Sequence, residues 1–203
     1  RGIVAFPITL GTWKSGTVKT ITNAEFQKNS MSLFGYAYTA DELKPLRDLF
    51  SNVTKAHLYK LTKEGGTVAS CTLGTAKLDG TEGNKLKLNV ASTENGYLIE
   101  TYLGTVLVAE AELITADTDL WVDNEYWTLN KDSLTSISTG WVNFIGGIDG
   151  TVQDAEYQTF LDVIESYSFN VVGCPCTNET LKQLFSTWTK RMRDEVGAKF
   201  QTV

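Results

Sequence analysis

The spacing of apolar residues between Trp141 and Val203 alternates between two periods, and this constrains the fold more than any other feature. A strand-like segment near Trp141 runs through Gly146-Gly147-Ile148-Asp149-Gly150 to Tyr157, Phe160, Leu161 and Ile164, which share one helical stripe. Phe169 to Val172 is a short apolar run, as expected of a strand covered on both faces. Leu181, Leu184, Phe185, Trp188 and Met192 then form a second helical stripe, with Thr177 as its expected cap and Gly197 as its stop. Phe200 to Val203 closes as a strand. Strand, helix, strand, helix, strand at these lengths requires crossovers and hence parallel pairing, so the fold class is α/β.

The first 75 residues fit the same frame. Strands are expected at Gly2–Leu10, Thr17–Ile21 and Lys55–Leu61. Thr22 and Glu25 make a capping box for a helix from Asn23 to about Met31. Thr39 to Glu42 repeats that signal ahead of Leu43, Leu46, Leu49 and Phe50. Pro45 fits there only if that helix starts late or kinks. From about Ala76 to Thr139 helical periodicity vanishes. Leu86, Leu88 and Val90 alternate with polar residues, Asn95-Gly96 and Gly104-Thr105 are hairpin-turn signals, and Tyr97–Leu103, Thr105–Leu113 and Tyr126–Leu129 read as further strands. The expected organisation is an α/β domain over 1–75 and 141–203, interrupted by an all-β insert over 76–140.

Composition narrows the function classes. A formal net charge of −6, with acids and bases interspersed, argues against a general nucleic-acid binder, which wants a basic face. No apolar run is long enough to cross a membrane. The three cysteines, Cys71, Cys174 and Cys176, form no disulfide framework, so a reducing compartment is the default. Both ends lie inside strand-like runs, from which a fragment or trimmed chain is expected.

Few residues could carry chemistry. His57 is the single histidine and sits mid-strand, where a packed structural role is expected over a general base. Cys174-Pro175-Cys176 lies past a parallel strand and before a helix, where α/β folds bind ligands and thiol pKa values can fall. A thiol or hydrolase-type enzyme would use Cys174 or Cys176 with His57. The Gly146–Gly150 turn lacks the spacing of a phosphate loop. Asp149 reads as a turn residue tolerant of positive φ. Asp117, Asp119, Asp123 and Glu125 do not match a calcium loop and read as solvated. A surface-binding role for the β-rich block would need exposed rings, with Trp121, Tyr126 and Trp127 as candidates. The last helix carries Lys182, Ser186, Thr189 and Arg193 away from its apolar stripe, with Lys190 nearby. Lys182, Thr189, Lys190 and Arg193 are the candidate inter-subunit or tube contacts, of the kind that sets register more than affinity.

Several segments, in order, resemble the contractile tail sheath proteins of phages and phage-like particles. These are Arg1-Gly2-Ile3-Val4-Ala5 with Pro7, Thr20 to Phe26, Leu33-Phe34-Gly35-Tyr36, and Leu46 to Phe50. Thr75-Ala76-Lys77 with Gly80 and Gly83-Asn84 is similar to an Ala-Lys-Tyr-x-Gly-x-x-Gly-Asn signature, with Leu78 and Asp79 departing from it. Gly146-Gly147-x-Asp149-Gly150 resembles a Gly-Gly-x-x-Gly turn. Lys190 to Gly197 with Phe200-Gln201 is the most specific match. The resemblance implies a subtilisin-like α/β domain interrupted by a β-sandwich-like insert, without catalysis, metal or cofactor. It implies a chain lacking the family's N-terminal arm and C-terminal domain. It implies a subunit that polymerises helically around a tail tube and contracts by rigid-body rearrangement to drive the tube through a cell envelope. Implied partners are other copies of itself, the tail tube protein, and baseplate and tail terminator proteins, with no nucleic acid and no direct membrane insertion. The implied location is the tail of a virion or phage-like particle, assembled in the bacterial host cytoplasm.

Overall fold

The computed structural model describes residues 2–203, with the side chains of Ser133, Thr135 and Ser136 left aside; Arg1, part of the first family-like motif, lies outside the described residues. In chain order the elements are Gly2–Ile8 (β1), Val18–Thr22 (β2), Asn23–Phe34 (α1), Lys44–Asn52 (α2) and Val53–Lys60 (β3). Then come Ser70–Cys71 (β4), Gly74–Ala76 (β5), Leu86–Ser92 (β6), Gly96–Leu103 (β7), Val106–Ile114 (β8), Trp127–Leu129 (β9) and Gly140–Asn143 (β10). Asp154–Ile164 (α3), Val171–Val172 (β11), Glu179–Asp194 (α4) and Gln201–Thr202 (β12) complete the chain.

The chain divides into two compact units, Arg1–Lys63 with Val152–Val203, and Glu64–Thr151. The second unit therefore also takes in 64–75 and 141–151, which the apolar pattern alone assigns to the α/β frame. The reason is pairing. The incoming and outgoing segments bridge each other antiparallel at Glu64 and Thr151, Thr67 and Ile148, and Ser70 and Ile145. The strand at Trp141 likewise pairs antiparallel with β6 rather than joining the parallel sheet.

The first unit is built on a sheet of order β12-β11-β1-β3-β2. Its first four strands are parallel and β2 is antiparallel to β3. Alternation along the strands sorts side chains onto two faces. Val4, Ile8, Ala56 and Leu58 join Phe26, Phe34, Leu46 and Phe50 of α1 and α2. Ala5, Tyr59 and Leu61 join Phe160, Leu161, Ile164, Phe185, Trp188 and Met192 of α3 and α4. Burying each such aromatic or aliphatic side chain stabilises by roughly 1.5–3 kcal/mol before entropy is counted.

Helix starts follow the sequence where a side-chain acceptor is available. At α1 the Glu25 N–H donates to Thr22 Oγ1 (3.3 Å) and the Thr22 N–H to Glu25 Oε2 (2.7 Å), closing the expected capping box. The helix runs past Met31 to Phe34 with a kink at Asn29, which departs from helical dihedrals, and Gly35 stops it at φ 75°. The second signal fails. Ala40, which has no side-chain acceptor, precedes a 3-10 turn at Asp41–Leu43, and α2 starts late enough to seat Pro45 in its first turn. Asn178, not Thr177, caps α4, its Oδ1 accepting from the Thr180 N–H at 2.8 Å.

A clamp ties α3 to α4. The Trp188 indole N–H donates to Glu165 Oε1 at 2.8 Å, and Arg191 pairs with the same oxygen. Trp188 is 3% exposed, so without Glu165 its N–H would lose its acceptor. Glu165→Ala is expected to cost about 1–2 kcal/mol, and Arg191→Ala, at a part-exposed pair, under about 1 kcal/mol. Urea denaturation of the two variants checks the order.

The second unit contains a four-stranded antiparallel sheet, β10-β6-β7-β8, and a three-stranded sheet, β4-β5-β9. Leu103 pairs with Val106 across a two-residue loop in which Gly104 takes φ 63°. No non-glycine residue among those described has positive φ, so only the first loop position does, the type II′ pattern.

Candidate functional site

The chemically suggestive residues are occupied structurally. His57 is 8% exposed. Its Nδ1 lies 2.8 Å from Thr20 Oγ1 and its Nε2 lies 3.2 Å from the Ser168 carbonyl oxygen. A neutral ring with its proton on Nε2 satisfies both contacts, donating to the carbonyl and accepting from the hydroxyl. Burial lowers its pKa below the usual value, opposed by the bond to Ser168. The unfolded chain therefore binds a proton more readily than the folded one. Stability that is complete above about pH 6.5 is expected to fall as pH drops through that value towards the folded pKa. Since this is the single histidine, replacing it with Gln should remove the pH dependence of the denaturation midpoint between pH 7.5 and 5.5.

Cys176 shows no activation. Burial and the neighbouring Cys174 push the Cys176 thiol up to about 11, away from the thiolate a nucleophile needs. The helix that could lower it begins only at Glu179. The cavity at the carboxyl ends of β1 and β3, about 230 Å3, is where α/β enzymes gather polar groups. Here Phe6, Pro7, Ile8, Leu10, Pro45, Leu46, Leu61 and Pro175 dominate its lining.

The aromatic candidates for a ligand surface are core. Trp121, Tyr126 and Trp127 are 9%, 5% and 0% exposed. Trp127 donates to Thr101 Oγ1 at 2.9 Å, and Trp121 donates to Asp123 Oδ1 at 2.9 Å. The acidic run Asp117, Asp119, Asp123 and Glu125 is exposed, as its reading as a solvated loop expects, while Asp119 and Asp123 also make structural contacts. Asp119 pairs with Lys131, whose contact holds the carboxyl below its usual range, and Asp123 also accepts from the Leu129 N–H at 3.0 Å.

The α4 face divides. Lys182, Lys190 and Arg193 are exposed and line a groove of about 560 Å3 with Ser186, Gln201 and Thr202. Lys182 also reaches back to Glu179 at 2.7 Å. Thr189, placed with them by helical angle, is only 8% exposed. Its hydroxyl lies 2.5 Å from Thr202 Oγ1 and donates to the Phe185 carbonyl at 2.7 Å, because β12 packs against that part of the helix. The groove runs beside β12, the terminal strand of its sheet, whose outer side has no strand partner among the described residues.

A feature that the spacing alone does not reveal joins two of the family-like motifs. Asn84 holds Gly147 from both sides, its Oδ1 accepting from the Gly147 N–H at 2.8 Å and its Nδ2 donating to the Gly147 carbonyl at 2.9 Å. Asp149 does not use positive φ. Its carboxylate accepts from the Thr81 N–H at 3.2 Å and hydroxyl at 2.6 Å. The approach is too close for side chains: a Cβ at Gly147 would sit 2.1 Å from the Gly80 carbonyl oxygen, and one at Gly80 would sit 2.1 Å from Asp149 Oδ1. Gly80 and Gly147 are thus packing requirements of one joint within the second unit.

No family model matches the chain. Among curated proteins of Bacillus subtilis (strain 168), it is 27% identical over 227 residues to the uncharacterized protein YqbK and 26% identical over 232 residues to the phage-like element PBSX protein XkdK. Each match takes in 100% of this chain and 48% of the relative. Among solved structures, the sheath tail protein of Listeria innocua superposes with a TM-score of 0.85 at 24% identity, over 100% of this chain and 47% of that one. The sheath tail protein of Desulfitobacterium hafniense superposes with a TM-score of 0.82 at 26% identity, over 100% of this chain and 48% of that one. The chain is thus similar over its whole length to sheath tail proteins and to a phage-like element protein, and spans about half the length of each.

Proposed function

We propose that this chain forms part of a structural subunit of a contractile tail sheath. Copies stack helically around a tail tube and shift as near-rigid bodies to drive the tube through a cell envelope. The observation that carries this reading is the match along the entire chain to two sheath tail structures, at TM-scores of 0.85 and 0.82. The first unit serves as a subtilisin-like frame and the second as a β-sandwich-like insert. The protein acts without catalysis, which the occupied His57 ring and the raised Cys176 thiol support. Lys182, Lys190 and Arg193, beside the open edge of β12, make the contact with a neighbouring subunit or the tube, and Thr189 positions β12 under that face. A heterologous contact that does not close on itself generates a helical filament, and two alternative packings of a rigid subunit supply the switch. Baseplate and terminator proteins are the other partners, and the assembly is completed in the bacterial host cytoplasm.

Electron microscopy of the protein carrying this sequence, produced alone, tests the reading. Tubes of regular helical repeat are expected, and Lys190→Glu with Arg193→Glu should shorten or abolish them while leaving the circular dichroism spectrum unchanged. A strictly monomeric protein at all concentrations contradicts it.

A further inference from the structure

The outer face of the four-stranded sheet is not explained by core packing, which uses the opposite face through Leu88, Val90, Ile99 and Leu103. Cross-strand register lines up Trp141, Asn89, Glu100 and Glu110 in one row. Trp141 is 57% exposed, yet its ring is held in place. Tyr102 meets it edge-on with centroids 5.1 Å apart, and Lys87 Nζ lies 4.6 Å from its centroid. Asn89 Nδ2 donates to Glu100 Oε2 at 2.8 Å, and the Tyr102 hydroxyl donates to the same oxygen at 3.3 Å. An indole that is both exposed and fixed is thus followed, one strand over, by an amide and then by a carboxylate.

We infer that this row binds a neutral saccharide, with a pyranose ring stacked on Trp141 and its hydroxyls hydrogen-bonded by Asn89 and Glu100. The axial C–H groups of a pyranose carry partial positive charge and complement the negative face of the indole. Its equatorial hydroxyls need donors and acceptors at the rim, which the amide and carboxylate supply at strand spacings of about 4.8 Å. Rings already fixed by Tyr102 and Lys87 lose little freedom on binding. Charge excludes the alternative polymer class: Glu100, Glu110 and Glu112 outnumber Lys87 on this face, so a polyanionic glycan is repelled.

The test is saturation-transfer NMR on the intact chain with cellohexaose, chitohexaose, maltohexaose and dextran, and with poly(glycerol phosphate) as the anionic comparison. At least one neutral saccharide is expected to receive saturation and to shift the Trp141 indole resonance at millimolar concentration. Trp141→Ala should weaken that binding by about tenfold or more, as the removal of a central aromatic contact does. Glu100→Gln should weaken it less, and neither variant should change the melting temperature by more than a few degrees. No response to any of the four neutral saccharides, binding unaffected by Trp141→Ala, or binding of the polyanion alone would overturn the inference. So would concentration-dependent self-association that Trp141→Ala abolishes, since that would make the face a contact between copies. None of these outcomes depends on the sheath assignment.

Discussion

Gly147→Ala is expected to destabilise the second unit by roughly 3 kcal/mol or more, the range reached when a close backbone contact is blocked. The new Cβ would lie 2.1 Å from the Gly80 carbonyl oxygen and 2.9 Å from its carbon, with Asn84 Oδ1 at 3.0 Å. Backbone cannot move aside as the tip of a long side chain can. Relief therefore requires Gly147 to leave Asn84, breaking both bonds between them and disturbing the neighbouring Asp149–Thr81 contacts. Gly146→Ala is the control. Its Cβ meets nothing within 4 Å, so only the φ of 83° is penalised, at about 1–2 kcal/mol. Hydrogen exchange resolved along the chain separates the units. Gly147→Ala should speed exchange throughout Glu64–Thr151 and leave β1, β3 and α3 protected. Equal effects of the two substitutions would show that the joint does not hold this unit.

Trp127→Ala should cost about 3–5 kcal/mol, as large-to-small changes of buried aromatics do. The indole is fully buried, packs on Trp121 with centroids 5.3 Å apart and on Phe144 at 6.0 Å, and donates to Thr101. Thr101 is 1% exposed, so the truncation removes a partner from a buried hydroxyl while it opens a cavity. Trp127→Phe keeps much of the volume and should cost about half as much. The midpoint of urea unfolding, followed by near-ultraviolet circular dichroism, measures both. A Trp127→Ala protein as stable as the parent would return this ring to the surface and revive a ligand-binding role for it.

Local physics made much of this fold legible. The capping box at Thr22 and Glu25, the stripe of α4, the alternation in β6 and the hairpin at Gly104-Thr105 each depend on residues a few positions apart, and each formed as written. At the Asn95-Gly96 signal the hairpin turns one residue early: Gly96 already opens β7 opposite Thr93, and Asn95 lacks the positive φ of an Asn-Gly turn. What was not legible depends on partners distant in the chain. The run Gly-Trp-Val-Asn at Gly140–Asn143 alternates equally well for either sheet, and only its pairing with β6 decides. The edges of the second unit rest on isolated bridges such as Glu64 with Thr151, which leave no periodic trace. Helical angle placed Thr189 on the polar face, and β12 covers it there. The second capping signal misled because a backbone start at Ala40 leaves Thr39 outside the cap position.

The same division holds for the sites. A histidine amid strand residues announced its burial, but its two hydrogen-bond partners, Thr20 and Ser168, come from elsewhere in the chain. The glycine motifs were visible separately, yet nothing local says that Gly147 lies against Gly80. The contact of half-buried Tyr102 with exposed Trp141 leaves no mark in the sequence, because strand alternation cannot tell which face of a sheet is left open.

The most direct test of the central claim is a cryo-electron microscopy reconstruction of the particle's tail in its long and short forms. The account predicts that each of the two units fits the outer cylinder in both forms with its internal structure intact, while the contacts between copies around α4 and β12 change. Finding this fold only in the tube or baseplate, or finding its internal sheets rebuilt between the two forms, would contradict it.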